Sequence, residues 1–590
     1  MPQERPTCTP VARTDPKLLA VARGDEPCDL VIDNARIVNV ATREIVPGRL
    51  GVFAGRIAIV SLDAAASINA KEHLDLDGAF LAPGLIDAHM HVESTMLPPS
   101  RFARLALPHG TTAAVFDPHE IANVLGPAGI RWIAADAANV PFCALWALSS
   151  CVPSAPLETS GAAIDAHDLA RLFDEPALQG RIVALAEMMN YPGVVFADKD
   201  VLAKVTLGLQ RAIVDGHAPQ LVGQPLNAYV AAGISSDHEC TTLAEAREKL
   251  RQGMHIHIRE GSAARNLEAL APLITPDTAS RISFCTDDRH PKDLRDDGHI
   301  DNVVRKAIAM GVDPILALAC GSLHTADHYR QPDLGMIAPG RLANMIVFDD
   351  ITAPVPRLTF VDGAIVAREG HATFEPPPLA HWPHSPVRLP AHFDETALRI
   401  AGADGTIRVI GMHADQLVTD ALERPACVCD GHLVADASRD LLKLAVIERH
   451  RGTGNIGLGF VEGFRFKGGA IASTVGHDAH NLAVVGDNDR DMVVAARALA
   501  EAGGGQCVVS GGDVKALLPL PIAGLMSDQS PEVVIEQQDT LLRAAHALGC
   551  PHHDPFMPLS FLPLPVIPHL KLSDLGLVDV DQFKVVPLTV

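Results

Sequence analysis

Residues 80–92 read FLAPGLIDAHMHV, an apolar, strand-like run that ends in two histidines two positions apart. Alternate residues of a strand share a face, so His89 and His91 point the same way. Asp87 lies on that face one step earlier. Two imidazoles so placed can chelate one divalent ion. An H-x-H pair is weak by itself, because core histidines give the same spacing. Its surroundings have to carry the argument.

From this run to about residue 330, apolar strand-like stretches alternate with helical ones, the texture of βαβ units on a parallel sheet. The strand candidates are LIDAHMH (85–91), TTAAVFD (111–117), CALWALSS (143–150), RIVALAE (181–187), AIVDGH (212–217), GISSDH (233–238), MHIHIRE (254–260) and RISFCTD (281–287). TLAEAREKLRQG (242–253) and NLEALAPLI (266–274) read as helices between them. Eight such repeats predict a (β/α)8 TIM-like barrel rather than an open sheet.

Almost every one of these strands ends in His, Asp or Glu. Burying a charge is costly unless it is paired or metal-bound, and barrel active sites sit at this same C-terminal edge. Glu187 ends the fourth strand, where a carboxylate can bridge two cations. His217 and His238 end the fifth and sixth and, with Glu187, would complete a second metal site beside the one begun by His89 and His91. Asp287 ends the eighth, placed to touch the first metal and to accept a proton from its bound water. The alternative is a set of unrelated hydrogen-bonded polar groups. Five agreeing strand ends argue against it.

The flanks have a different texture. Residues 29–81 (DLVIDNARIVNV, GVFAGRIAIV, HLDLDGAFL) and 335–370 (GMIAPGRLANMIVFDD, RLTFVDGAIVAREG) read as short strands with turns. They predict one small β-sandwich domain, 1–80 plus 335–390, with the barrel, 81–334, inserted. EPPPLAHWPHSPVRLP (375–390) reads as a linker, and 395–590 as an α+β C-terminal domain.

Composition narrows the class. The chain has 590 residues, 48% apolar and 20% charged, which suits a soluble globular protein. With 48 Lys+Arg against 71 Asp+Glu the net charge is −23, which disfavours a nucleic-acid partner. The N-terminus, MPQERPTCTPVARTDPKLLAVARGDEP, has no apolar signal core, and no apolar run reaches the ~18 residues of a membrane span. Eleven scattered cysteines without a C-x-x-C pair suit a reducing cytoplasm.

Several blocks resemble the amidohydrolase superfamily and, within it, the adenine deaminase family. They are APGLIDAHMHVEST (82–95), HGTTAAVFDPHEIANV (109–124), LAEMMNYPGV (185–194), DGHAP (215–219), GISSDHE (233–239), REGSAARNLEAL (259–270) and SFCTDDRHP (283–291). TVGHDAHNLAVVGDND (474–489) and LPLPIAGLMSD (518–528) resemble that family's own C-terminal domain. Glu187 stands where many superfamily members carry a carboxylated lysine, as the adenine deaminase branch implies. ACGSLHTADHYR (319–330) departs from the more usual Asn-Pro-Ala wording after the eighth strand.

The resemblance implies hydrolytic deamination of adenine to hypoxanthine and ammonia, a purine-salvage step. It implies two divalent ions, manganese or iron, with zinc also suited to these donors. A hydroxide bridging the metals would attack C6, and Asp287 would pass its proton to the departing ammonia. Glu120 or His119, in the block Asp117-Pro118-His119-Glu120, would protonate the ring. The competing role for that block is a helix cap or a prop for the histidine ligands. Asp117, Glu239, Arg265, His477 and His480 are candidates for substrate binding or for supporting the ligands. A homo-oligomer, as a dimer, is expected. The rival readings are another amidohydrolase acting on a cyclic amide or a different aminopurine, and a non-catalytic scaffold that keeps the barrel but has lost the chemistry, whose mark, a missing metal ligand, is absent here.

Two motifs are set aside. His91-Val-Glu93 matches half of the H-x-E…P-C-x-x-C signature of other zinc deaminases, but no P-C-x-x-C occurs. Gly452, Gly454 and Gly457 match G-x-G-x-x-G, but they follow LLKLAVIERHR (441–451), which reads as a helix rather than as the strand the motif needs.

Overall fold

The computed structural model describes residues 10–63, 67–262, 264–413 and 417–590. The first nine residues, part of the N-terminal stretch read above, lie outside the described residues. Eight parallel strands form a barrel: β1 (Leu85–Met90), β2 (Thr111–Phe116), β3 (Cys143–Leu148), β4 (Ile182–Met188), β5 (Ile213–Gly216), β6 (Ser236–Asp237), β7 (His255–Arg259) and β8 (Ile282–Cys285). β1 to β5 pair in sequence as one sheet and β6 to β8 as another. Ser235 N donates to Val214 O at 2.9 Å across the seam between β5 and β6. The ring closes where Asp287 N donates to His89 O (3.0 Å) and His91 N donates to Asp287 O (3.1 Å). The barrel's closing bonds are thus made by candidate site residues. Asp287 takes a left-handed φ of 57° there, a conformation that Asp tolerates better than most residues.

The barrel interior is packed with small and branched side chains, among them Ile86, Ala88, Val115, Leu145, Val183 and Ala186. Helices cover the outside. Leu243–Arg251 shows why: Thr242 accepts from Glu245 N at 3.3 Å as its cap, and Lys249 and Arg251 lie in its last turn. Lys249 turns inward, fully buried, and its Nζ reaches Asp237 Oδ2 (3.0 Å) and Glu245 Oε1 (2.7 Å).

Strands from both flanks of the barrel hydrogen-bond into a single nine-stranded sheet. Cys28–Asn39 pairs with Ala70–Asp75 along its first half and with Phe80–Pro83 along its second. The sheet wraps one apolar core that includes Ile32, Leu50, Val52, Leu81, Met345 and Phe360. Phe80–Pro83 leads straight into β1, so this sheet anchors the strand that carries His89 and His91. After residue 395, an eight-stranded, mostly antiparallel sheet is backed by the helix Asp489–Ala502. Among the described residues no helix is long and apolar enough to cross a membrane.

One local expectation fails. Leu442–Ile447, within the stretch expected to be helical, is an inner strand of the eight-stranded sheet. All six of its residues are buried: Leu442, Leu444 and Val446 pack into one core, Ala445 and Ile447 into another. A strand covered on both faces is apolar without alternation, and periodicity cannot tell it from a buried helix.

Candidate functional site

The C-terminal ends of β1, β4, β5, β6 and β8 bring six side chains together: His89, His91, Glu187, His217, His238 and Asp287. All are buried, none more than 8% exposed. Glu187 sits at the middle. Its Oε2 lies 2.6 Å from His217 Nδ1 and 3.2 Å from His238 Nε2. Its Oε1 faces the other side, 3.4 Å from His91 Nε2 and 3.8 Å from His89 Nε2. Asp287 Oδ1 lies 2.9 Å from His91 Nε2 and 3.4 Å from His89 Nε2. His91 Nδ1 lies 3.0 Å from the main-chain oxygen of Asp117; donating there leaves Nε2 free for the cavity.

The electrostatics follow from crowding. Burial pushes Glu187 up, but His217, His119 and His238 hold its carboxyl well below the usual range. Burial likewise opposes ionisation of Asp287, and Arg259, His89 and His91 outweigh it. Burial and the neighbouring His119 disfavour a charged His91, yet the hydrogen bonds it donates to Asp287 and Glu187 raise it well above its ordinary value. The site therefore offers imidazoles and ionised carboxylates in close array. His89 Nε2 is buried without any hydrogen-bond partner. Single ligand atoms of His89, Glu187 and His238, and of His89, His91 and Asp287, lie within 4.8 Å of one another. An orphaned imidazole nitrogen facing carboxylate oxygens fits a divalent cation.

Around the donors is a cavity of ≈350 Å³ including its mouth. His119 and Glu239 line it, and Asp288 and Asp478 add carboxylates. Its apolar wall comes from the C-terminal part of the chain: Leu417, Phe561, Leu564 and Ile567. His477 also lines it, stacked on Phe561 with ring centres 4.3 Å apart and 8° between planes.

The remaining expected residues fall into two groups. Asp117 Oδ2 lies 3.3 Å from His119 Nδ1, and Asp117 Oδ1 accepts from Ser149 at 3.1 Å. Glu120 is fully buried behind the cavity wall; Ser94 donates to its Oε1 at 2.9 Å, and its Oε2 has no partner. Burial, then Glu93 and Asp288, push its carboxyl well above the usual range. Glu93, from the motif set aside, accepts from Ile121 N at 3.1 Å and so holds the helix that carries Glu120.

Two of the expected residues stand outside the cavity. Arg265 is exposed and staples its own loop, its Nε donating to Gly261 O at 3.3 Å. His480 is buried outside the cavity, its Nδ1 accepting from Gly476 N at 3.2 Å. Arg259, at the end of β7, stands in the cavity wall instead. Its Nη1 donates to Glu239 Oε1 at 2.5 Å and to Asp287 Oδ2, and its Nη2 donates to Glu239 Oε2 at 3.2 Å. The strand-end criterion that found the acids and histidines finds Arg259 as well, once cations are counted. Phe561 and its neighbours left no signal in the sequence.

Residues 80–366 match the amidohydrolase family, and residues 416–584 match the adenine deaminase C-terminal domain. The protein named adenine deaminase from Desulfatibacillum aliphaticivorans is 47% identical over 578 residues, 97% of this chain and 99% of that protein. Adenine deaminase 2 of Carboxydothermus hydrogenoformans is 44% identical over 573 residues, 97% of this chain and 99% of its own. A crystal structure of an adenine deaminase superposes with a TM-score of 0.46 at 17% identity, covering 58% of this chain and 100% of that one.

Proposed function

The chain belongs to the adenine deaminase family of amidohydrolases, and from that membership we propose how its barrel residues carry the reaction. The activity is hydrolytic deamination of adenine to hypoxanthine and ammonia, consistent with purine salvage. The family suggests a divalent metal. In our reading His89, His91 and Asp287 would hold one cation and His217 and His238 another, with Glu187, which faces both sets, shared between them. Manganese, iron and zinc all suit this mixed nitrogen and oxygen set. When bound, the metal acidifies water so that a strong nucleophile exists near neutral pH.

The protein's own groups do the rest. Adenine lies in the cavity with its 6-amino end toward the six donors, and Leu417, Phe561, Leu564 and Ile567 exclude bulk water from the other side. Asp287 accepts the proton of the attacking water and returns it to the departing amino group. Arg259 keeps Asp287 and Glu239 ionised and fixed in orientation. Glu120 is the ring acid: a carboxyl kept protonated by burial can pass its proton from behind the wall toward N1 through His477, whose Nδ1 lies 3.5 Å from Glu120 Oε1, while His119 lines the same wall with Asp117 behind it. The nine-stranded sheet, the barrel and the eight-stranded sheet support a division into a β domain (1–80 with 335–390), a barrel (81–334) and a C-terminal domain (395–590).

The observation that carries the reading is the convergence of six buried donors from five strand ends, five of them lining one cavity and His89 packed behind them. Ammonia release over a panel of purines and cyclic amides, with manganese, iron or zinc supplied, tests it. Release from adenine is expected. Release from cyclic amides but not from adenine contradicts it.

A further inference from the structure

One strand step below the six donors, the barrel interior holds a second set of buried polar groups that the deamination chemistry does not use. Asp215 on β5 precedes His217 by two residues, and His257 on β7 precedes Arg259 by two. His328 ends the helix Leu323–His328, and Tyr329 follows it, both within the stretch that departs from the family wording. Such interior positions are ordinarily filled by branched apolar side chains. A buried carboxylate among imidazoles needs compensation.

One ligand atom each of Asp215, His257 and His328 lies within 4.8 Å of the other two. Asp215 Oδ1 and His328 Nε2 are 3.4 Å apart. That is long for a hydrogen bond between these groups. It equals the separation of about 3.4 Å between ligand atoms at tetrahedral corners around an ion with bonds of ~2.1 Å. The Tyr329 hydroxyl stands alongside, 2.9 Å from Asp215 Oδ2 and 3.2 Å from His257 Nε2. His257 is 1% exposed, and its Nδ1 has no hydrogen-bond partner. Ser236 also donates to Asp215 Oδ1, at 2.5 Å, which leaves that oxygen one further lone pair.

We propose that Asp215, His257 and His328 form a separate structural site for a divalent cation of the zinc class, on the barrel floor beneath the catalytic cavity. Two imidazoles and one carboxylate, with the Tyr329 hydroxyl or a water completing the shell, are the donors such an ion selects. The site has a mechanical role. β5 belongs to one sheet of the barrel and β7 to the other, and Ser235 N to Val214 O is the main-chain bond across the seam. An ion held by Asp215, His257 and His328 clamps that seam and the helix Leu323–His328.

The test uses the full-length chain, stripped of metal, reloaded with Zn²⁺ and dialysed, with bound zinc counted by atomic absorption and thermal melting recorded with and without zinc. His328→Ala is expected to bind one equivalent less than wild type. It should melt below wild type in zinc, with the gap much smaller when both are metal-free. If His328→Ala does not fold, His257→Gln serves the same comparison. Equal zinc content in variant and wild type overturns the proposal, as does a melting gap of the same size with and without zinc, which marks a hydrogen-bonded plug only. Neither variant alters the six upper donors. The difference from wild type therefore stands whether or not the two-metal reading holds, and Glu187→Gln should keep the equivalent that His328→Ala loses.

Discussion

Replacing Arg259 with methionine removes a positive charge while keeping most of the side chain's apolar stem. The guanidinium is 4% exposed and is shared between Glu239 and Asp287. Without it, two buried carboxylates keep only histidine neighbours: His89 and His91 beside Asp287, and His217 and His238 beside Glu239. Removing one partner of a buried ion pair costs about 3–5 kcal/mol. Two acids lose their arginine at once but keep those histidines, so the metal-free variant should fall within that range. Cations held at the six donors as proposed would lie against Asp287 and beside Glu239, so the loss should be smaller in the metal-loaded protein.

The pH dependence has a definite sign. Burial raises Glu239, but Arg259 and then His217 outweigh it and bring the carboxyl from 4.5 down to about 2. A depressed folded pKa contributes stability above the unfolded value and loses it as pH falls through the folded one. The gap between wild type and R259M is therefore full above pH 4.5 and closes as pH falls toward about 2. Urea unfolding of both metal-free proteins at neutral pH and across that window measures it. A neutral-pH gap below ~1 kcal/mol, the range of exposed ion pairs, refutes the reasoning. So does a gap that widens on acidification.

Other expectations follow from the same geometry. Glu120→Gln should lower adenine turnover by ~10²–10⁴-fold, the usual contribution of a positioned acid, and abolish the alkaline fall in rate that occurs when Glu120 loses its proton. Near-normal turnover in E120Q would make it a prop for the helix instead. Phe561→Ala opens the apolar wall, so KM for adenine should rise more than kcat falls; a kcat effect with KM unchanged contradicts that placement. Lys249→Met strips the partner of Asp237 and Glu245 outside the cavity and should cost about 3–5 kcal/mol of stability in denaturant unfolding. A change below ~1 kcal/mol would show that pair to be solvated.

Much of the barrel was readable from sequence because each of its strands is a short apolar run set between helices, and each run ends in a polar group at the face where barrels hold ligands. His89, His91, Glu187, His217, His238 and Asp287 meet in one cluster, all but His89 lining the cavity, because closing the barrel brings successive strand ends together. What escaped is what topology does not encode locally. Arg259 occupies the same kind of position, yet a terminal arginine beside a glutamate reads as a solvated strand end. Arg265, six residues on, drew attention only through its place in a family block. Leu417, Phe561, Leu564 and Ile567 reach the cavity through packing between segments far apart in the chain. Leu442–Ile447 misled because burial on both faces erases alternation.

Glu187 joins both halves of the donor set, so its amide variant tests the central claim most directly. Divalent metal bound per chain and ammonia released from adenine are measured together for wild type and Glu187→Gln, each stripped and reloaded under the same conditions. Metal content should fall by one or two equivalents relative to wild type, and deamination should fall with it. Wild-type metal content together with wild-type turnover in E187Q would contradict the bridging role and the two-metal site built on it.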